Sequence, residues 1–200
     1  MQFAELLRKH LDGMVVLSDG QVQLLAEHHD VLVKWNKTLN LTSIRNVEDA
    51  VVRHYCESLF FAARLPFNAK TTVDFGSGAG FPGIPMAILL PEMAVTLSES
   101  HQRKAVFLRE ASRSLENVVI SARRGESLPS GFDLLVSRAV NLADVLSVGG
   151  AVAKRVGMMV GRADADVLLR HKGVEWETPV TLPWGDERVC LYGMFHVKHF

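Results

Sequence analysis

Asp74 and Glu99 are the acids whose setting points to chemistry, because each closes a short β-rich run and the first leads straight into three alternating glycines, Gly76, Gly78 and Gly80. An apolar, helix-like segment begins near Pro82. Glycine lets a backbone turn tightly and approach a ligand with no Cβ in the way. A strand, a Gly-rich turn and a helix start in that order form a cradle for a nucleotide-like cofactor. Glu99 stands about twenty residues beyond the glycines, the spacing at which a carboxylate accepts both hydroxyls of a ribose. Gly78-x-Gly80-x-x-Gly83 also satisfies the dinucleotide fingerprint, but two features oppose a pyrophosphate. Pro82 and Pro85 flank Gly83 where backbone N–H donors are wanted, and Asp74 sets a negative charge beside the anion. A cofactor with positive groups suits this loop better.

The elements that position these acids fall into two regions. Residues 1–67 read as a helical extension: Leu6, Leu7 and Leu11 suit one helix, and Ser18-Asp19-Gly20 looks like the start of a second. That second helix keeps its apolar period to Trp35 and breaks at Asn40 to Ser43, and a third runs from Glu48 to Arg64. From 68 to 200 short β-rich runs alternate with helical ones, with strands expected at Thr72–Phe75, Val95–Ser98, Val118–Ser121, Leu134–Ser137 and Met158–Val160. Helices are expected between at least the first four. Val174–Leu182 and Arg188–Val197 have no clear helix between them and read as an antiparallel terminal hairpin. The whole predicts an α/β fold of five βα units, a mostly parallel seven-stranded sheet covered on both faces.

Composition narrows the class. Two hundred residues, 48% of them hydrophobic, suffice for one substantial core. No apolar run approaches the ~18 residues of a spanning helix, and the charges in the first ten residues argue against an export signal, so a cytoplasmic protein with no membrane association is expected. Cys56 and Cys190 fit no metal or redox spacing, so no metal is expected and both read as buried thiols. Zero net charge argues against indiscriminate coating of nucleic acid. A local excess of Arg103, Lys104, Arg109, Arg113, Arg123 and Arg124 can face phosphate or form an ordinary solvated helix face.

Read from Asp74, the loop is Asp-x-Gly-x-Gly-x-Gly, which resembles motif I of the class I S-adenosylmethionine-dependent methyltransferases. That cofactor carries an ammonium and a sulfonium and no phosphate, so a nearby carboxylate is welcome. Further blocks are Lys34-Trp35-Asn36-Lys37 through Ser43, Val52-Arg53-His54 with Glu57-Ser58, the Phe81-Pro82-Gly83-Ile84-Pro85 extension of motif I, Ser98-Glu99-Ser100 with Arg103-Lys104, and Ser137-Arg138-Ala139. With these the chain resembles the GidB (RsmG) family, bacterial enzymes that methylate N7 of one guanine in 16S ribosomal RNA, over roughly residues 20 to 145. The resemblance implies S-adenosylmethionine as cofactor and a ribosomal subunit or its precursor as partner, with the enzyme acting as a monomer. It places cofactor contacts on Gly76, Phe81, Gly125, Glu126 and Arg138, beside the Asp74, Gly78 and Glu99 already singled out.

Two departures stand out. Val160-Gly161 replaces the family's usual Lys-Gly, leaving Lys154, Arg155 or Arg162 as substitute cations, and Glu57 replaces the usual aspartate. Guanine N7 bears a lone pair and no proton, so its methylation needs alignment and a suitable field and no general base. No catalytic residue is therefore assigned, and Arg138 is the nearest candidate. The chain has no Asn-Pro-Pro-Tyr or Asp-Pro-Pro-Tyr motif for exocyclic amines and no Pro-Cys nucleophile for cytosine C5. Trp35 reads as core and His54 as either an RNA contact or a structural hydrogen bond. A non-catalytic nucleotide-binding module on the ribosome and a small nicotinamide oxidoreductase are the competing readings.

Overall fold

In a computed structural model, residues 2–123, 127–185 and 187–196 are described. The N-terminal region is helical throughout: α1 (Gln2–Leu11), α2 (Asp19–Leu39), α3 (Val47–Ala50) and α4 (Glu57–Ala63). Ser18 starts α2 through a capping box, accepting from the Gln21 backbone N–H while the Gln21 side chain accepts from the Ser18 N–H. The Gln21 amide also donates to the Ile88 carbonyl, tying this helix start to the end of α5 (Gly83–Leu89). Asn40 closes α2 in the left-handed conformation, which its short polar side chain tolerates. The third helix predicted over 48–64 is present, but its middle, Val51–Cys56, widens into a π-helical turn between α3 and α4. Such turns occur often beside functional sites, and this one carries His54.

The strands are β1 (Thr71–Phe75), β2 (Ala94–Ser98), β3 (Val118–Ser121), β4 (Phe132–Arg138), β5 (Ala153–Gly161), β6 (Val174–Trp176), β7 (Val180–Thr181) and β8 (Arg188–Phe195). They run β3-β2-β1-β4-β5-β8-β6, with the first five parallel and β8 antiparallel to β5. Strands β6 and β7 both pair with β8, opposite Gly193–Phe195 and Val189–Cys190 respectively. They are two pieces of the seventh strand expected over 174–182. Pro179, with no N–H for the ladder, lies at the break.

Helices α6 (Gln102–Ala111), α7 (Leu142–Val152) and α8 (Arg162–Leu168) complete the crossovers. The β3–β4 connection differs from expectation: its described residues hold no α-helix, so four βα units are seen where five were predicted. Neighbouring strand residues feed opposite faces, as period two requires. Leu134 and Val136 join the core under α2, α4 and α5, while Val73 and Leu135 join the core under α7 and α8. Phe195 is buried in the second core, where a Cβ on Gly149 would stand 2.2 Å from its ring. No helix among the described residues is long and apolar enough to cross a membrane.

Candidate functional site

The sheet order reverses between β1 and β4, and the crevice outside the carboxyl ends of strands at such a point is where α/β sheets bind ligands. Two clefts open there and meet at Gly76 and Glu99, which line both. The first, about 370 Å³, lies toward α7 and is walled by Phe75, Ser100, Arg123, Val140 and Asp144. The second, about 300 Å³, lies toward the N-terminal helices and is walled by Thr42, His54, Gly78, Phe81, Lys104 and Arg138.

The glycine loop is held from three sides. Gly76 and Ser77 both donate backbone N–H bonds to the Ser98 carbonyl at 3.0 Å, pinning the loop to the end of β2. Gly78 N–H donates to Glu99 Oε2 at 3.1 Å, and His101 N–H donates to Glu99 Oε1 at 2.8 Å. Each Glu99 oxygen thus keeps a lone pair for a further donor. From α2, buried His28 bonds the Ala79 carbonyl through Nε2 (3.1 Å) and the Tyr55 hydroxyl through Nδ1 (2.8 Å). The N-terminal helices therefore support the loop as well as covering the sheet. Gly76 has φ +73°, and a Cβ there would meet Val140 Cγ2 at 2.5 Å.

Of the residues singled out in the sequence, Gly76, Gly78, Phe81, Glu99 and Arg138 line the clefts. Asp74 does not. Its side chain is wholly buried beneath α5, where Oδ2 accepts the Gly83 N–H at 3.0 Å and Oδ1 has no partner. Gly83 has no room for a side chain, since a Cβ would stand 2.6 Å from that same Oδ2. Burial pushes the Asp74 carboxyl up to about 7, against the pull of the Gly83 N–H. Gly125 and Glu126 lie outside the described residues, as does Arg124. The three substitute cations do not line either cleft. Lys154 pairs with Asp133, Arg155 lies over the Phe67 ring, and Arg162 bonds Thr181. Among the described residues, Lys104 and Arg138 are the cations of the second cleft, and Arg123 that of the first. Trp35 packs on the core edge and donates to Glu110 at 2.9 Å.

One feature was not read from sequence, and two others, a hydrogen bond from His54 and an ion pair of Arg138, were read without their partners. Ala139 has φ +57°, a left-handed conformation that costs a non-glycine residue roughly 1–2 kcal/mol. It turns the end of β4 so that Arg138 lines one cleft and Val140 the other, and nothing in an alanine signals this. His54 stacks on Phe81 with ring centroids 4.6 Å apart and bonds Thr42 Oγ1 through Nε2 at 2.8 Å. Thr42 Oγ1 also accepts the Ile44 N–H, and His54 Nδ1 is buried without a partner. Third, Arg138 ion-pairs with Glu57 Oε2 at 3.6 Å, and Arg188 ion-pairs with Glu57 Oε1.

His54 is held neutral. Burial, followed by the charge of Arg138, lowers its pKa from 6.5 to about 3. The unfolded chain takes up a proton there below pH 6.5 and the folded one does not, so this histidine removes stability as pH falls from 6.5 toward 3. His54→Gln is expected to destabilise at pH 7.5 through the lost Thr42 bond. Its penalty relative to the parent shrinks by about 2 kcal/mol at pH 5, at roughly 1.4 kcal/mol per pH unit. Urea denaturation of both proteins at the two pH values checks this. Comparing the pair cancels Asp74 and Glu57, whose raised values act with the opposite sign.

The family model for rRNA small subunit methyltransferase G matches residues 21–160. A ribosomal RNA small subunit methyltransferase G from Xanthomonas euvesicatoria pv. vesicatoria is 43% identical over 136 residues, 65% of this chain and 63% of that protein's length. One from Salmonella agona is 40% identical over 148 residues, covering 72% of this chain and 70% of that protein. Among solved structures, a SAM dependent methyltransferase from Aquifex aeolicus superposes with a TM-score of 0.54 at 16% identity, covering 64% of this chain and 82% of that one. That likeness fixes the sheet order as the class I methyltransferase fold. The matched segment contains the glycine loop, Glu99, Arg138 and the π-helical turn together, and on that span the chain belongs to the GidB family, rRNA small subunit methyltransferase G.

Proposed function

We propose that this protein transfers a methyl group from S-adenosylmethionine to N7 of a guanine in 16S ribosomal RNA, in the cytoplasm and as a monomer. The observation that carries the reading is the shared floor of the two clefts: Gly76 and Glu99 belong to both. One elongated ligand can therefore rest its ribose over Glu99 and extend both ways. The residues fit this cofactor. Glu99 retains acceptors for ribose hydroxyls, Gly76 brings backbone without a side chain to the floor of both clefts, and Arg138 lines the second cleft as a cation for a carboxylate-bearing end. Phe81 offers an aromatic face to the methionine part. Asp74 acts through the loop, fixing the first turn of α5 from beneath.

When bound, S-adenosylmethionine supplies an electrophilic methyl group on a sulfonium. The protein's part is alignment and field. Lys104 and Arg123 offer charge to a polyanion, and His54, neutral and already bonded to Thr42, takes no proton. This agrees with a nucleophile that carries its own lone pair. The test is methyl transfer from tritiated cofactor to small subunits and to naked 16S ribosomal RNA lacking the modification, with the product mapped by borohydride and aniline cleavage. Label at one guanine, with cleavage there, is expected. Label on another atom or no label on either substrate overturns the reading.

A further inference from the structure

Arg138, Glu57 and Arg188 come from three distant parts of the chain and form one buried ionic chain. Arg138 ends β4 and lines the second cleft, with only 16% of its side chain exposed. Glu57 opens α4 and its side chain is 1% exposed, with one carboxylate oxygen toward each arginine. Arg188 opens β8, is 33% exposed and lines neither cleft. Two guanidinium groups share one carboxylate, so the cluster holds one uncompensated positive charge, and Arg138 Nη1 has no partner in the protein. Burial of such a charge is costly unless an anion completes it. The end open to the cleft is Arg138, so that is where the anion belongs.

We propose that Glu57 and Arg188 are positioning residues that hold the Arg138 guanidinium for the carboxylate of the cofactor's methionine part. The proposal rests on the cofactor reading given above. Glu57 Oε2 holds Arg138 by charge at 3.6 Å from Nη2, too far for a hydrogen bond, leaving an edge of the fork for the ligand, since a guanidinium recognises carboxylates through paired donors in a fixed plane. Arg188 holds Glu57 from behind and keeps it from collapsing onto Arg138 and closing that edge. Burial raises the Glu57 carboxyl to about 7, opposed by Arg138, Arg188 and Arg53, so the clamp is best formed above neutral pH.

The test is calorimetry at pH 8 on the full chain with two probes: S-adenosylhomocysteine, which keeps the amino-acid carboxylate, and 5′-methylthioadenosine, which lacks it. Glu57→Gln is expected to weaken S-adenosylhomocysteine roughly tenfold, and Arg188→Gln roughly threefold, each leaving methylthioadenosine affinity within about twofold. A cleft merely loosened by a structural defect weakens both probes alike, and that outcome overturns the proposal. So does unchanged S-adenosylhomocysteine affinity in Arg188→Gln, the conservative variant at a third-exposed site that is expected to stay folded. If the unaltered protein binds neither probe, the cofactor reading itself fails instead.

Discussion

Asp74→Ala is expected to cost about 2–4 kcal/mol of stability and to weaken cofactor binding at least tenfold, whereas Asp74→Asn costs roughly 1 kcal/mol or less and leaves binding nearly intact. The contrast follows from where the carboxyl points. In the folded chain it accepts the Gly83 N–H from below the loop, in a space closed by Leu97 and α5. Alanine strands that buried donor and leaves a void, and an unpaired buried donor alone costs about 1–3 kcal/mol. The first turn of α5 then loses its reference to β1, and the Gly76–Phe81 loop moves with it. Asparagine keeps the oxygen acceptor in place. It also keeps the neutrality that burial imposes on much of the Asp74 population at pH 6 to 7. Were the carboxylate charge itself in contact with a sulfonium or ammonium, asparagine would be as damaging as alanine. Urea midpoints and calorimetric affinity for both variants at pH 6.5 separate the two roles.

A strand pattern reports which face a side chain takes and not what covers that face. Period two places Asp74 on the face opposite Val73 and Phe75, toward α5, which was legible. What was not legible is that α5 begins with a residue lacking a Cβ directly over that carboxylate, so the acid is roofed and the cleft lies beyond the roof. Glu99, one strand over, lines both clefts because its carboxylate sits just after the strand end. Ser18 and Asn40 were readable as a helix start and stop because capping is a local act of one side chain on nearby backbone. The Arg138–Glu57–Arg188 chain was not, since no local signal joins positions 57, 138 and 188. The broken seventh strand lies between these cases: Pro179 was visible, but its effect depends on pairing with β8. Family blocks marked Arg138 and Phe81 without saying what held them. For Phe81 the answer is a histidine on a widened helical turn, whose position depends on an extra residue that a regular 3.6 period does not anticipate.

Gly76→Ala is expected to reduce cofactor affinity by two orders of magnitude or more, about 2.7 kcal/mol. Gly76, like Glu99, lines both clefts, so a side chain there crowds their shared floor. The new Cβ would stand 2.5 Å from Val140 Cγ2, a contact that must be relieved by moving either the loop or the turn at Ala139. Both are already constrained, the loop by its paired bonds to the Ser98 carbonyl and the turn by its left-handed alanine. Two costs are therefore mixed in this variant, and a second substitution separates them. Val140→Ala removes the colliding methyl group while leaving φ +73° at position 76 unfavourable to any side chain. The double variant should regain stability to within roughly 1–2 kcal/mol of the parent, the residual backbone strain. Affinity should stay low if the alanine methyl occupies ligand space, and return with stability if the damage was only the displaced loop. The shared floor predicts the first result. Recovery of binding in step with folding would show that Gly76 serves the turn alone and that the two clefts need not hold one continuous molecule.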